Sequence, residues 1–165
     1  MERYDLCKAV VMQSLSYTFP RHRLEEFGEL SQHERDAVAK LSGRPYLVER
    51  GRPIRHQGDP VLGLFLLFEG WVLDSADLPS GSRQVLKVHL AGDVLGAPSL
   101  SSDRALTTLT AITPAVVSTV TLTDFGMLLE QHPRIAARFF LSAQRERAAL
   151  MDELTLIFPR FDGHR

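Results

Sequence analysis

Cysteine is almost absent from this chain, which also lacks long hydrophobic runs. Cys7 is the only cysteine among 165 residues. This excludes a disulfide framework within one chain and a zinc site built from several cysteines. The longest apolar run, from Val61 to Phe68, is far shorter than the roughly 20 residues that cross a bilayer as a helix. The sequence therefore favours a globular protein without a membrane span.

The chain also lacks an excess of charge of either sign. It has 19 Lys and Arg residues against 20 Asp and Glu residues, so no net positive field concentrates it on DNA or on an anionic membrane. The first residues, Met1 to Phe19, start acidic and have no clear cleavage site, which makes them a poor signal peptide. We therefore expect a cytoplasmic protein.

Motifs of catalysis and metal binding are scarce as well. The six histidines are scattered, without the His-x-His pair that metal-dependent β-roll enzymes use. No Ser/His/Asp order, P-loop or dinucleotide-binding fingerprint is present. We predict no enzymatic activity and no metal site, and the residues identify no cofactor. A cupin-like metalloenzyme is the least favoured alternative.

The hydrophobic periodicity changes along the chain. Ser31 and Glu34 have the spacing of a capping box, which predicts a short helix over about residues 32–41. From Pro45 to about Val120, short β-rich runs alternate with clusters of Gly, Pro, Asp and Ser, which favours a sandwich or jelly roll. These runs are residues 46–48, 64–68, 84–90, 107–113 and 115–120.

The last part of the chain reads as helical. Thr123 and Asp124 can cap a short helix, and Pro133 suits the first turn of another. From Ala136 to Ile157, seam residues recur at alternating steps of four and three, the spacing of a coiled coil. A helix of this length reaches beyond a small β-roll, so we expect part of it to pack on a second chain. The predicted dimer-interface residues are Ala143, Arg147, Leu150, Leu154 and Ile157. The alternative is that this stripe is ordinary core against the chain's own roll.

Glycines mark the corners of the predicted roll at nearly regular intervals. They are Gly51, Gly58, Gly70, Gly81 and Gly92. Tight turns that need a positive φ favour glycine. We therefore predict a left-handed backbone at these corners.

Three segments that contain glycine resemble, in order, the sensor domain of the Crp/Fnr and cyclic-nucleotide-binding superfamily. They are Glu49 to Pro60 with its Gln-Gly-Asp corner, Leu64 to Val72, and Leu90 to Gly96. The resemblance covers roughly residues 28–158 and implies a mainly β fold with helices, in which a β-roll of the jelly-roll type precedes a long dimerisation helix. The implied divisions are a partly helical segment (1–27), the β-roll with flanking short helices (28–132), the dimerisation helix (133–158) and a tail (159–165).

The resemblance places an effector site in the segment that begins at Gly96. The implied site residues are Gly96, Ala97, Ser99, Arg104, Thr107 and Thr108. Cyclic-nucleotide cassettes have a Glu for the ribose hydroxyl where this chain has Ala97, and Ala cannot accept those hydrogen bonds. Pro98 removes a backbone donor, and Arg104 is the candidate partner of a phosphate group. We therefore do not expect standard cyclic AMP binding, and the effector stays unidentified.

Crp/Fnr regulators continue from the dimerisation helix into a helix-turn-helix, for which residues 159–165 are too few. The resemblance thus implies a homodimer that contacts DNA only through a domain not present in this chain. The alternative is a stand-alone β-roll protein that dimerises with full-length relatives.

Overall fold

The structure, a computed structural model, describes residues 18–157, and it describes side-chain environments for residues 18–152 except His22. Most of the predicted N-terminal segment, including Cys7, lies outside the described residues. The tail predicted for residues 159–165 lies outside them as well. So do the side chains of Leu154 and Ile157, although helix continues through both positions.

Eight strands form two antiparallel sheets that make up a roll. One sheet has the strand order β1-β8-β3-β6 and the other β2-β7-β4-β5, which confirms the predicted mainly β fold. The strands are β1 (Tyr46–Val48), β2 (Pro53–Arg55), β3 (Gly63–Glu69), β4 (Val72–Asp77), β5 (Arg83–His89), β6 (Val94–Leu95), β7 (Thr108–Ala111) and β8 (Ala115–Thr121).

Four α-helices flank the roll within the described chain, and a 3₁₀ helix lies between β6 and β7. They are α1 (His22–Glu25), α2 (Gln32–Leu41), a 3₁₀ helix (Ala97–Ser101), α3 (Leu122–Gln131) and α4 (Pro133–Ile157). The predicted capping box of α2 is confirmed, because Ser31 N donates to Glu34 Oε2 at 2.7 Å and Glu34 N donates to Ser31 Oγ at 3.3 Å. The long helix that starts at Pro133 is confirmed too.

The predicted cap of α3 is wrong by two residues. The N-cap is Thr121, whose Oγ1 accepts a hydrogen bond from Asp124 N at 3.0 Å, so Thr123 lies inside the helix. Thr121 ends β8 with an extended backbone, which is the conformation an N-cap residue needs. Asp124 then falls in the first turn, where a carboxylate interacts favourably with the helix dipole.

Every glycine corner predicted from the sequence has a positive φ, with values between 81° and 91°. At Gly70 a side chain is also excluded by space, because a Cβ there would lie 2.3 Å from the carbonyl oxygen of Pro114. The turn signals in the sequence therefore identify the corners of the roll correctly.

The core has two layers, which meet at β3. One side of β3 faces the helices through Leu64, Leu66 and Phe68, and the other side faces the roll interior through Phe65 and Leu67. A strand buried on both faces reads as a continuous apolar run rather than an alternating one. This burial explains the longest apolar run in the sequence.

The predicted strand β5 is confirmed, but its apolar residues lie on the exposed side. Leu86 and Val88 are 45% and 42% exposed, whereas His89 is only 5% exposed. Lys87 Nζ contacts Glu146 on α4. The one side chain that this edge strand buries is thus a polar one, that of His89.

Candidate functional site

The cassette segment begins where β6 ends. Gly96 has φ +80° and turns the chain into the 3₁₀ helix Ala97–Ser101. Pro98 lies in the first turn of this helix, where its fixed φ fits and its missing N–H costs no hydrogen bond. The glycine and the proline thus form this turn from local backbone preferences.

Arg55 connects strand β2 to the cassette. Its side chain is buried, and Nη2 donates a hydrogen bond to Ser99 Oγ at 2.9 Å. The same hydroxyl oxygen accepts a hydrogen bond from Leu106 N at 3.1 Å. Ser99 therefore joins β2, the 3₁₀ helix and the loop that follows it.

The guanidinium of Arg55 fills the space directly behind Gly96. A Cβ at Gly96 would lie 2.9 Å from both terminal nitrogens of Arg55. The ring of Phe65 covers another side, with its centroid 5.9 Å from the guanidinium carbon. The absence of a side chain at Gly96 is thus required by the arginine as well as by the backbone.

The positive charge of Arg55 has few partners. In the described part of the chain, Nε and Nη1 have no hydrogen-bond partner and no carboxylate forms an ion pair with the group. Burial lowers the pKa of the Arg55 guanidinium, while the more distant carboxylates of Asp74 and Asp59 raise it. A buried guanidinium with unused donors is costly unless another group pairs with it.

Further polar groups line the interior of the same sheet. Asp74 lies in register with Leu109 of β7, which in turn pairs with Arg55. Nε2 of His89 lies 3.6 Å from Asp74 Oδ2, and Nδ1 lies 3.3 Å from Asp93 Oδ2. We call Arg55, Asp74, His89, Asp93 and Ser99 the interior polar cluster.

Asp93 joins this cluster to helix α1. Its Oδ1 lies 2.9 Å from Nε of Arg23, and its Oδ2 accepts a hydrogen bond from Leu90 N at 3.1 Å. Although burial opposes ionisation, the contact with His89, the hydrogen bond from Leu90 and the nearby cations lower the pKa of Asp93 to about 2. Burial lowers the pKa of His89, but the contacts with the carboxylates of Asp74 and Asp93 outweigh burial, so this pKa is raised.

A cleft of about 280 Å³ separates the cassette from helices α1 and α4. Three ion pairs stand at its walls, Arg23 with Asp93, Lys87 with Glu146, and Arg145 with Glu26. Its apolar lining includes Leu24, Val94, Ala97 and Phe139. Apolar lining with a few convergent polar groups is typical of small-molecule sites.

The structure brings some of the predicted effector residues together. Gly96, Ala97 and Ser99 meet at the cassette, and Ala97 also lines the cleft. Thr108 is buried, and its Oγ1 accepts a hydrogen bond from Gln57 N at 3.0 Å. Thr107 is half-buried in the loop just before β7.

The predicted phosphate arginine lies elsewhere. Arg104 is exposed, and its Nη1 donates to the carbonyl oxygen of Gly58 at 3.3 Å, in the turn after β2. Arg55 is the arginine that contacts Gly96 and Ser99. The sequence reasoning missed Arg55, because the only local signal is an arginine in a three-residue strand before a glycine corner.

The predicted dimer-interface residues lie on an exposed part of α4. Ala143, Arg147 and Leu150 are exposed in the single chain, and Ala143 also lines the cleft. The large apolar side chains of Phe140 and Met151 are 62% and 54% exposed. The interface itself stays a prediction.

Metal binding and membrane insertion leave no mark in the described part of the chain. Among residues 18–152 other than His22, no group of three His, Cys, Asp or Glu side chains is placed to hold a metal ion. None of the described helices is long and apolar enough to cross a membrane.

Comparison with known proteins agrees with the geometry of the roll. Residues 47–132 match the cyclic nucleotide-binding domain family. Over 67 residues the chain is 31% identical to Electron transport regulator A of Shewanella oneidensis, a match that covers 41% of this chain and 27% of that protein. The match therefore spans well under two thirds of this relative.

Solved structures show the same fold. The catabolite activator protein of Thermus thermophilus superposes with a TM-score of 0.68 at 25% identity, covering 82% of this chain and 62% of that one. The sensor domain of the transcriptional regulator DNR from Pseudomonas aeruginosa superposes with a TM-score of 0.61 at 18% identity, covering 93% of this chain and 96% of that one. The β-roll followed by a C-terminal helix is thus confirmed.

Proposed function

This chain belongs to the cyclic nucleotide-binding domain family, and we propose that it is the effector-sensing and dimerisation domain of a Crp/Fnr-like transcriptional regulator. DNA would then be contacted through a domain outside this chain. The near balance of 19 basic and 20 acidic residues supports this proposal, because a DNA-binding surface needs an excess of basic side chains.

The observation that carries the proposal is that α4 packs on the roll at its start and extends beyond the roll at its end. Near the start of the helix, Ile135 is fully buried and Arg138 Nη2 donates to the carbonyl oxygen of Glu29 at 2.6 Å. Further along, Glu146 pairs with Lys87 across the cleft. All described residues from 143 to 152 are exposed in the single chain.

A helix with this arrangement suits both parts of the proposed function. Its first turns pack on the roll, and Glu146 contacts Lys87 of β5, so the position of the helix would follow that of β5. Its exposed seam offers a surface to the same helix of a second copy, as in two-fold coiled coils. An effector in the cleft would touch the cassette and the helix together, which links binding to the geometry of a dimer.

The test is a chimera in which this chain replaces the sensor domain of a Crp/Fnr regulator whose operator is known. We expect the chimera to bind operator DNA as a dimer, measured by fluorescence anisotropy and light scattering. Leu150→Asp should weaken operator binding at least tenfold, since it places two charges in the seam. Ala148→Asp, on the same helix but off the seam, is the matched control and should bind as the parent does. A chimera that binds DNA equally well with Leu150→Asp, or that stays monomeric, refutes the proposal.

A further inference from the structure

We infer that Arg55 binds an oxyanion of the effector, a carboxylate or a phosphate group, and that Arg104 does not hold it. The inference rests on the proposed effector-sensing function and names the chemistry of its ligand.

The first support is the set of unused donors on Arg55. The residue is 6% exposed, and Ser99 takes only one of its hydrogen bonds. Nε and Nη1 are buried and have no partner among the described residues. A guanidinium presents its donors as a planar fork that matches carboxylate and phosphate oxygens.

The second support is the chemistry beside the guanidinium. Ser99 Oγ already accepts hydrogen bonds from Arg55 and from Leu106 N, so its own proton is available to an oxyanion. Arg104, in contrast, donates to the carbonyl oxygen of Gly58 on the exposed side of the loop. The donors that converge behind the cassette therefore come from Arg55 and Ser99.

The third support is the unused acceptor on Asp74. Its Oδ1 is buried without a hydrogen-bond partner in the described chain. Asp74 lies two strands from Arg55 in the same row of the sheet, a separation of roughly 10 Å between backbones. A ligand that satisfies both groups carries a hydrogen-bond donor as well as an oxyanion, as hydroxy acids and sugar phosphates do.

The cleft lies next to the turn that covers Arg55. Ala97 lines the cleft, and Gly96 beside it lies against the guanidinium. The 3₁₀ helix that begins with Ala97 is only five residues long, and Ser99 Oγ joins it to β2. A ligand in the cleft would reach the arginine after a shift of this helix.

The experiment uses the full chain with two probes, citrate for a carboxylate and glycerol 3-phosphate for a phosphate group. Potassium chloride at matched ionic strength is the control. We expect at least one probe at 10 mM to raise the melting temperature by several degrees, because a ligand well above its dissociation constant stabilises the folded state. Arg55→Met should weaken its binding at least tenfold in calorimetry. The matched control, Arg52→Met, removes an exposed arginine and should bind within twofold of wild type.

A further variant keeps the inference falsifiable if Arg55→Met folds poorly. Arg104→Met should bind within twofold of wild type. The inference is overturned if neither probe shifts wild type beyond potassium chloride, if Arg55→Met binds as wild type does, or if Arg104→Met loses binding.

Failure of this inference differs from failure of the proposed function. If the chimera binds operator as a dimer while Arg55→Met keeps full anion binding, only the proposed role of Arg55 is refuted. If the chimera neither dimerises nor binds operator, the proposed regulatory function is refuted, even where citrate or glycerol 3-phosphate binds.

Discussion

Nδ1 of His89 lies 3.3 Å from Oδ2 of Asp93, and both side chains are about 6% exposed. The two residues face each other in the interior polar cluster, so the protonation of one is linked to that of the other. Because the folded-state pKa of His89 is raised above its ordinary value of 6.5, its contribution to stability is present below that pH and is lost as the pH rises through the raised pKa.

The first prediction follows from the direction of this pKa shift. The free energy of unfolding of wild type should fall as the pH rises above 6.5 and through the raised pKa of His89, measured by urea denaturation at several pH values. His89→Gln should flatten this fall, whereas His56→Gln, at an exposed position on the turn after β2, should retain it. A wild-type profile that rises over this range, or one that matches the His89→Gln profile, contradicts the prediction.

The second prediction concerns Asp93 itself. Its pKa is lowered to about 2 from 3.8, so its contribution is present above the ordinary value and is lost as the pH falls toward 2. Asp93→Asn removes the carboxylate that pairs with both Arg23 and His89 and should cost about 2–4 kcal/mol near pH 6. Asp77→Asn, which breaks the exposed pair with Arg83, should unfold close to wild type. Equal midpoints in denaturant for the two variants would count against this assignment.

The third prediction separates backbone strain from steric contact. Gly58 and Gly96 both have a positive φ, 87° and 80°, but only Gly96 has the Arg55 guanidinium within reach of a Cβ. Gly58→Ala should cost about 1 kcal/mol from strain alone, and Gly96→Ala about 1–3 kcal/mol more from overpacking. In an Arg55→Ala background the extra cost should disappear, which thermal denaturation of the double variant measures. An unchanged cost in that background would mean that Arg55 does not fill the space behind Gly96.

The fourth prediction tests the exposed face of α4 in the isolated chain. Wild type should be a dimer at tens of micromolar in light scattering, because Leu150 and Met151 are 53% and 54% exposed in the single chain. Leu150→Asp should give a folded monomer, since an unpaired charge in an apolar seam costs several kcal/mol. Ala148→Asp should stay dimeric. A monomeric wild type would show that the seam is not an interface.

The fifth prediction is that cyclic AMP does not stabilise this chain. Ala97 supplies no acceptor for ribose hydroxyls, and Arg104 donates to the carbonyl oxygen of Gly58 and not toward the cassette. The melting temperature should therefore change by less than about a degree in 1 mM cyclic AMP, against the several degrees expected for a ligand far above its dissociation constant. A clear rise in the melting temperature would show that the chain binds cyclic AMP after all and would contradict this prediction.

Local signals in the sequence determined where this chain turns and where its helices begin. Five glycines mark corners with a positive φ, Ser31 and Glu34 begin α2, and Pro133 begins α4. Each signal acts within a few residues, because a backbone dihedral or a cap depends on the residue that carries it. The resemblance built on these corners gave the β-roll and the long helix, and both are confirmed.

Only the tertiary structure decided which polar side chains meet inside the roll. Arg55, Asp74 and His89 lie on three different strands, and the apolar residues of β5 gave no sign that His89 points inward. The partner of a side chain across a sheet is set by strand order and register, which the alternation within one strand does not specify. The cassette sequence indicated Arg104, but the fold placed Arg55 beside Gly96 because β2 passes behind the turn. Local chemistry thus determined where the chain turns, and long-range packing determined which charges it encloses.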